Sequence, residues 1–414
     1  MLDSTRGARK KIKTTTFRLI ALAIGISLPL VVGELGVRLF VPVKYWARWE
    51  STVMWQLDPE LGWINKPNFT VHQRSALGAF VQVRTNEDGI LSSQVSRQKA
   101  PGVIRIIMLG DSLVAGLALP YDQRVSADLA RLLQARGVHV EVLNAAVEGY
   151  STDQELLRLR RLLPLYHPDI VILGICNNDF EGNEERLYRP VGGLPKPIFV
   201  LSQSGELKEI PPDLSNAAVR PYRLGPFLYL LEHSALYHLV QPAIFSLRLR
   251  WIDPNGLKKM GAESEFYYRR TALDRFDWGL FSAELREMDK DSQSGGARFV
   301  CFLAASPYEV WNPYIREKEK ALGLRSGEYD RYAVEKKVAS AAQEAGVSFC
   351  PLVDHFLANE QRGPFHLPLD IHYNAVGHQV TAEALEKFLL GSGVLNGRSP
   401  GQLQSASCDR VAEK

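Results

Sequence analysis

From residue 101 onward, apolar runs alternate with amphipathic stretches, the pattern of a parallel sheet with covering helices. Five runs read as buried strands: Ile104–Leu109, Val138–Leu143, Ile170–Ile175, Arg298–Leu303 and Val347–Leu352. Between the first two, Val125, Leu129, Leu132 and Leu133 fall at i, i+4, i+7 and i+8, one apolar stripe of a helix. Between the second and third, Ser151 with Gln154 predicts a capping box that opens a helix running to about Leu163. More than a hundred residues separate the third run from the fourth, far beyond an ordinary crossover, so 181–294 reads as an insertion in a domain spanning 101–390. Within it, GPFLYLLEHSALYHLV (225–240) is broken by Glu232 and two histidines, which favours a lid or packing helix over a membrane span.

Upstream, residues 44–100 carry Gly, Pro and Asn punctuation (DPELGW, KPN, TNEDG) between short β-prone pieces such as FVQVRT, a strand-rich preface with no evident chemistry of its own. The N-terminus differs in kind. Leu19 to Val32 is free of charge, and the apolar character continues to Val43 with only Glu34 and Arg38 as breaks, about one bilayer span for a signal anchor over 18–43. A cleaved signal peptide is the rival reading, although no A-x-A-like site precedes the bulky YWARW of Tyr45 to Trp49. Glu34 and Arg38 are spaced to pair on one helix face, and Lys44, Trp46 and Trp49 suit a membrane boundary. Residues 391–414 are polar and read as a flexible tail.

Charge changes this picture more than composition does. The formal balance is +3, but the first 20 residues hold six Lys/Arg and one acid, leaving 43 basic and 45 acidic groups for the rest. The excess lies in a tail, 1–17 with Arg18, that the positive-inside rule keeps cytoplasmic, which sends the rest of the chain across the membrane. The remainder has no electrostatic footprint for nucleic acid. With 46% apolar residues the chain can bury a large core, and its four cysteines, without a C-x-x-C pair, exclude a disulfide scaffold and a cysteine-based zinc site. Cys176, Cys301 and Cys350 fall in or beside strand runs, where thiols behave as small buried hydrophobes, and no essential bridge is expected.

Candidate chemistry lies past the strand ends, where open parallel sheets build their sites. Gly110-Asp111-Ser112 follows the first run, NAAVEGYS with Gly149 follows the second, Asn177-Asn178-Asp179 follows the third, and DIHYNAVGH from Asp370 follows the fifth. An extended backbone would put Asp370 and His372 on one side, and an acid beside a histidine is what a serine nucleophile needs. Asn177 and Asn178 are adjacent and cannot both point into one site, Asp179 reads as a structural hydrogen-bonding residue, and His366 and His378 read as surface or helix-capping residues. No G-x-S-x-G, G-x-G-x-x-G or G-x-x-x-x-G-K-[ST] occurs, so a nucleophile elbow and the common phosphate loops are missing.

These four blocks, in this order, resemble the SGNH (GDSL-type) hydrolases over roughly 101–180 and 295–390, and the preface resembles that of membrane-anchored bacterial members. The resemblance implies a three-layer α/β/α, flavodoxin-like domain on a five-stranded parallel sheet. It implies Ser112 as nucleophile, His372 as general base, Asp370 as its orienter, and an oxyanion hole from the Ser112 and Gly149 N–H groups with the Asn178 amide. The acid and base stand D-x-H here, one residue closer than the commonly quoted D-x-x-H. The expected activity is hydrolysis of an acyl ester, O-acetyl or carbohydrate-linked among the candidates, by a single-pass protein of the bacterial inner membrane, with a periplasmic catalytic domain and no metal or organic cofactor. Two alternatives stay open: O-acyl transfer to an envelope or exported polysaccharide, and a non-catalytic glycan-binding or assembly role.

Overall fold

A computed structural model of the chain describes residues 2–42, 54–74, 80–91, 95–188, 193–215, 234–240, 243, 273–312, 316, 330–367 and 370–395. It has two units, Met1–Trp49 with Leu224–Ile252, and Glu50–Arg223 with Asp253–Lys414. In the first, α1 (Leu2–Phe40) joins the basic tail and the apolar run in one helix, and its part Thr16–Phe40 is long and apolar enough to cross a membrane. The expected pair forms, with Arg38 Nε donating to Glu34 Oε1 at 2.6 Å. Lys44, Trp46 and Trp49 lie outside the described residues, as does 225–233 of the apolar insertion run. Residues 235–240 of that run are helical, opened by Ser234, whose hydroxyl accepts the Tyr237 N–H at 3.0 Å.

The second unit begins with two antiparallel hairpins, β1 (Trp55–Asp58) with β2 (Gly62–Asn65), and β3 (Thr70–Arg74) with β4 (Phe80–Arg84). Next comes β5 (Ile104–Gly110), followed by the short α2 (Ser112–Ala115), α3 (Val125–Ala135) and β6 (Val140–Asn144). α4 (Thr152–Tyr166) leads to β7 (Ile170–Ile175) and α5 (Asp179–Gly182). Two small hairpins follow, β8 (Leu187–Tyr188) with β9 (Leu194–Pro195), and β10 (Ile198–Leu201) with β11 (Leu207–Ile210). α6 (Trp278–Ser294), β12 (Arg298–Leu303), α7 (Pro307–Val310), α8 (Ala333–Ala345), β13 (Ser348–Phe349), α9 (Val353–Ala358) and α10 (Ala375–Gly391) complete it.

The five apolar runs pair as one all-parallel sheet in the order β13-β12-β7-β5-β6. α3 and α10 pack together on one face, and α4, α6 and α8 on the other, giving three layers. The chain steps outward from β5 to β6 and then reverses through β7, so the switch point falls between β5 and β7. β7 is buried at every residue, as a central parallel strand covered on both faces must be.

Three expectations need correction. The fifth strand is only Ser348–Phe349, because Pro351 has no N–H to extend the ladder beyond the Cys350 N–H bond to Cys301 O. Ser151 does precede α4, but no capping box forms, since the Gln154 side chain donates instead to Leu61 O at 2.7 Å. The stretch 181–294 ends in α6, which packs on β12 and between α4 and α8 as the crossover helix, so its last 17 residues are part of the layered domain.

Candidate active site

Ser112 stands at the carboxyl end of β5 because two glycines let α2 settle onto the sheet. Gly110 pairs with Gly174 across β5 and β7. A Cβ on Gly110 would meet Val114 Cγ2 at 2.3 Å, and one on Gly174 would meet the same atom at 2.4 Å and the Phe302 ring at 2.7 Å. With both positions empty of side chain, Val114 drops into the gap and the first turn of α2 presents Ser112 above the strand end. Asp111, 3% exposed, caps that turn by accepting the Leu113 N–H at 2.9 Å. From β6, the buried Asn144 donates to Val114 O at 2.8 Å and fixes the other end of the turn.

Asp370 and His372 come from the loop before α10. Phe365–Leu367 and His372–Asn374 run side by side through Leu367 N–H to His372 O at 2.8 Å, the His366–Tyr373 bridge, and Asn374 N–H to Phe365 O at 2.9 Å. Asn374 then caps α10 by accepting the Val376 and Gly377 N–H groups. The backbone at 370–372 is bent, not extended as the spacing suggested. Asp370 Oδ1 accepts both the His372 backbone N–H at 3.1 Å and its Nδ1–H at 2.5 Å, an Asx-type turn that lets D-x-H spacing work. A carboxylate only accepts, so the proton sits on Nδ1, leaving Nε2 to accept the Ser112 hydroxyl at 2.8 Å. Ser112, His372 and Asp370 thus form one hydrogen-bonded chain.

The three histidines of this region separate by environment. Burial pushes His366 down to about 4 and His378 down to about 3. Both are buried, against the expected surface placement: His366 Nε2 meets Ala305 O at 2.9 Å, and His378 Nδ1 accepts the Val125 N–H at the start of α3, a capping role exerted from another helix. Burial opposes the charged form of His372 as well, but the Asp370 hydrogen bond and charge outweigh it and hold this imidazole above the usual histidine value. Reciprocally, His372 overcomes the burial of Asp370 and holds its carboxyl below the usual range.

Gly149 has φ +77°, and a Cβ there would meet the Tyr188 ring at 2.5 Å, so the loop after β6 passes directly under that ring. Among the described residues neither the Gly149 N–H nor the Asn178 side-chain amide has a hydrogen-bond partner. The Asn177 side chain, by contrast, is engaged by Cys176 Sγ at 3.4 Å. The Ser112 N–H is the first of α2, where helical donors have no partner within the helix. Asp179 is fully buried and closes its turn by accepting the Cys176 N–H at 2.9 Å, a structural part; burial pushes its carboxyl well up, with the nearby Asp111 adding to the shift. Cys176, Cys301 and Cys350 are buried free thiols, each raised by burial.

The preface, in which the sequence showed no chemistry, grips the Gly149 loop. Trp63 Nε1 donates to Glu148 O at 3.2 Å, Asn65 Nδ2 to Ala146 O at 3.1 Å, Tyr150 Oη to Trp63 O at 2.5 Å, and the Leu91 N–H to Asn144 O at 2.8 Å. Trp55, Trp63 and Tyr188 form one aromatic cluster beside it, their rings tilted or edge-on to one another. Each of these hydrogen bonds joins residues more than fifty positions apart, so no local pattern signals them.

Residues 108–196 match the model of the GDSL-like Lipase/Acylhydrolase family. An arylesterase of Vibrio mimicus is 26% identical over 140 residues, 34% of this chain and 64% of the arylesterase, so the chain spans just under two thirds of that relative's length. Solved structures that align include the psychrotrophic esterase EstA of Pseudoalteromonas sp., at 12% identity over 70% of this chain and 98% of that one with a TM-score of 0.36. The acetyl xylan esterase AlAXEase aligns at 12% identity over 68% and 98%, also with a TM-score of 0.36. Over residues 108–196 the chain is thus similar to the GDSL-like Lipase/Acylhydrolase family.

Proposed function

We propose that this protein is a serine esterase that removes an acyl group from an ester through Ser112, His372 and Asp370. The observation that carries the reading is the Ser112 Oγ to His372 Nε2 contact of 2.8 Å, with Asp370 on the other ring nitrogen at 2.5 Å. A serine hydroxyl is a weak nucleophile until a base takes its proton, and an imidazole whose far side is held by a carboxylate both points correctly and tolerates the charge it gains. Ser112 Oγ attacks the acyl carbon as His372 Nε2 accepts its proton. The carbonyl oxygen gains charge and is held by the Ser112 and Gly149 N–H groups and the Asn178 amide. His372 returns the proton to the leaving alkoxide, freeing the alcohol. A water then gives its proton to His372 and attacks the acyl-enzyme, and the acid departs as His372 returns that proton to Ser112 Oγ. The match to an arylesterase supports an ester as substrate.

The same reading takes α1 as an uncleaved anchor. The span Thr16–Phe40 has the length and apolar character, and the cations clustered before it favour a cytoplasmic N-terminus and an extracytoplasmic, periplasmic hydrolase unit. The test is a panel of acetyl and longer acyl esters given to wild type and Ser112→Ala. Hydrolysis by the first and not the second is expected; equal rates from both would overturn the reading.

A further inference from the structure

Glu34 lies in the outer part of the apolar helix α1, where an ionised carboxylate is costly unless it is partnered. It has four donors. Besides Arg38, Oε2 accepts the Ser234 hydroxyl at 2.7 Å and the Leu236 N–H at 3.0 Å, and Oε1 accepts the Ala235 N–H at 2.9 Å. The helical turns 235–240 therefore begin on Glu34, with their first N–H groups satisfied by it. One turn face of α1 is shaped for the same contact: a Cβ on Gly33 would meet Leu236 Cδ2 at 3.0 Å, so the glycine leaves the seat that the leucine fills.

In water neither partner needs the other, since exposed N–H groups and a carboxylate are both well solvated. In or beside hydrocarbon both do, because each unsatisfied backbone group costs several kcal/mol there. The composition of the contacting segment matches the second setting. Of the 29 residues Leu224–Ile252, which fall in the same unit as α1, 18 are apolar and one, Glu232, is acidic. Gly225-Pro226, Ser234 and Pro242 break the run, so it is too interrupted to cross a bilayer. Val240 at its described end is 38% exposed, the most exposed side chain of the described turns.

We propose that the helical turns 234–240 are a second membrane-seated element, held at the bilayer surface and clasped to the anchor by Glu34. This rests on the reading of α1 as a membrane anchor. The occupant of its apolar surface is lipid, because the helix it clasps is itself the bilayer-spanning candidate.

The test uses the full-length protein in phosphatidylcholine/phosphatidylglycerol vesicles, with Cys408 replaced by serine and single environment-sensitive labels on Leu28→Cys, Val240→Cys and Ser204→Cys. Spin-labelled lipids are expected to quench the labels at 28 and 240 and to spare 204. Glu34→Ala should reduce quenching at 240 toward that at 204 and leave 28 unchanged, with Glu34→Gln intermediate and the circular dichroism of all variants alike. Quenching at 28 without quenching at 240 overturns the proposal while keeping the anchor. No quenching at 28 removes the anchor and the proposal with it. Quenching at 240 that ignores Glu34→Ala overturns the clasp.

Discussion

Asp370 holds His372 twice through one oxygen, at the backbone N–H (3.1 Å) and at Nδ1 (2.5 Å). The double hold fixes both the ring's position and its tautomer. It also raises the imidazole above the usual histidine value against the opposing effect of burial. As a base His372 must be neutral, so kcat/KM should rise with pH through an acid limb lying above that value. Asp370→Asn removes the two largest raising influences on His372, leaving burial and the weaker charges of Asp111 and Glu148, so the limb should move down while kcat falls about 10²- to 10⁴-fold. A pH–rate profile of the two proteins checks this, and a limb that stays in place would show that Asp370 does not set the base.

The free donors at Asn178 and Gly149 make separable predictions. Asn178→Ala should lower kcat about 10²- to 10³-fold with little change in KM or Tm, as loss of one oxyanion donor does. Gly149→Ala should instead lose stability as well as activity, because the new methyl meets both an unfavourable φ and the Tyr188 ring. Tyr188→Ala in that background should restore part of the stability, which thermal unfolding of the double variant would measure.

Gly174→Ala tests the perch under Ser112. The added methyl collides with Val114 and Phe302, at an expected loss of about 1–3 kcal/mol for overpacking, and with a drop in activity because Val114 sits two residues from Ser112. Combining it with Val114→Ala should recover most of the stability in denaturant unfolding. No recovery would mean that the strain lies elsewhere.

Behind the site, Glu155 is buried with both carboxyl oxygens unpartnered among the described residues. Burial first, and then the charges of Asp179 and Asp111, push it well above its ordinary 4.5. Below that value both folded and unfolded states are protonated and nothing is lost. Above it the unfolded state releases the proton that the folded state keeps, so stability falls as pH rises toward the folded-state value. Glu155→Gln removes this slope, and its gain in Tm over wild type should be larger at pH 8 than at pH 5; an equal gain at both would contradict the assignment.

The first four strands of the parallel sheet were legible because each is a local run of apolar residues; the order β13-β12-β7-β5-β6, and with it the switch point, comes only from the fold. Four chemical blocks were legible because each sits just past such a run. What sequence could not show is held by polar contacts between distant residues. Trp63 and Asn65 grip a loop more than eighty positions away, Glu34 meets Ser234 two hundred positions on, and His378 caps α3 from the last helix. Ser151 and Gln154 err the other way: the local pattern of a capping box is present, but Leu61 O supplies Gln154 with a partner that only the fold brings near.

The central claim is that Ser112 is a nucleophile activated by His372. Labelling by a fluorophosphonate probe measures this directly, because the probe bonds only to a serine oxygen whose proton a neighbouring base can take. Wild type should carry one label, located on Ser112 by peptide mass spectrometry, and both Ser112→Ala and His372→Ala should lose it while remaining folded. Folded wild-type protein that stays unlabelled, or label that persists in Ser112→Ala, would contradict it.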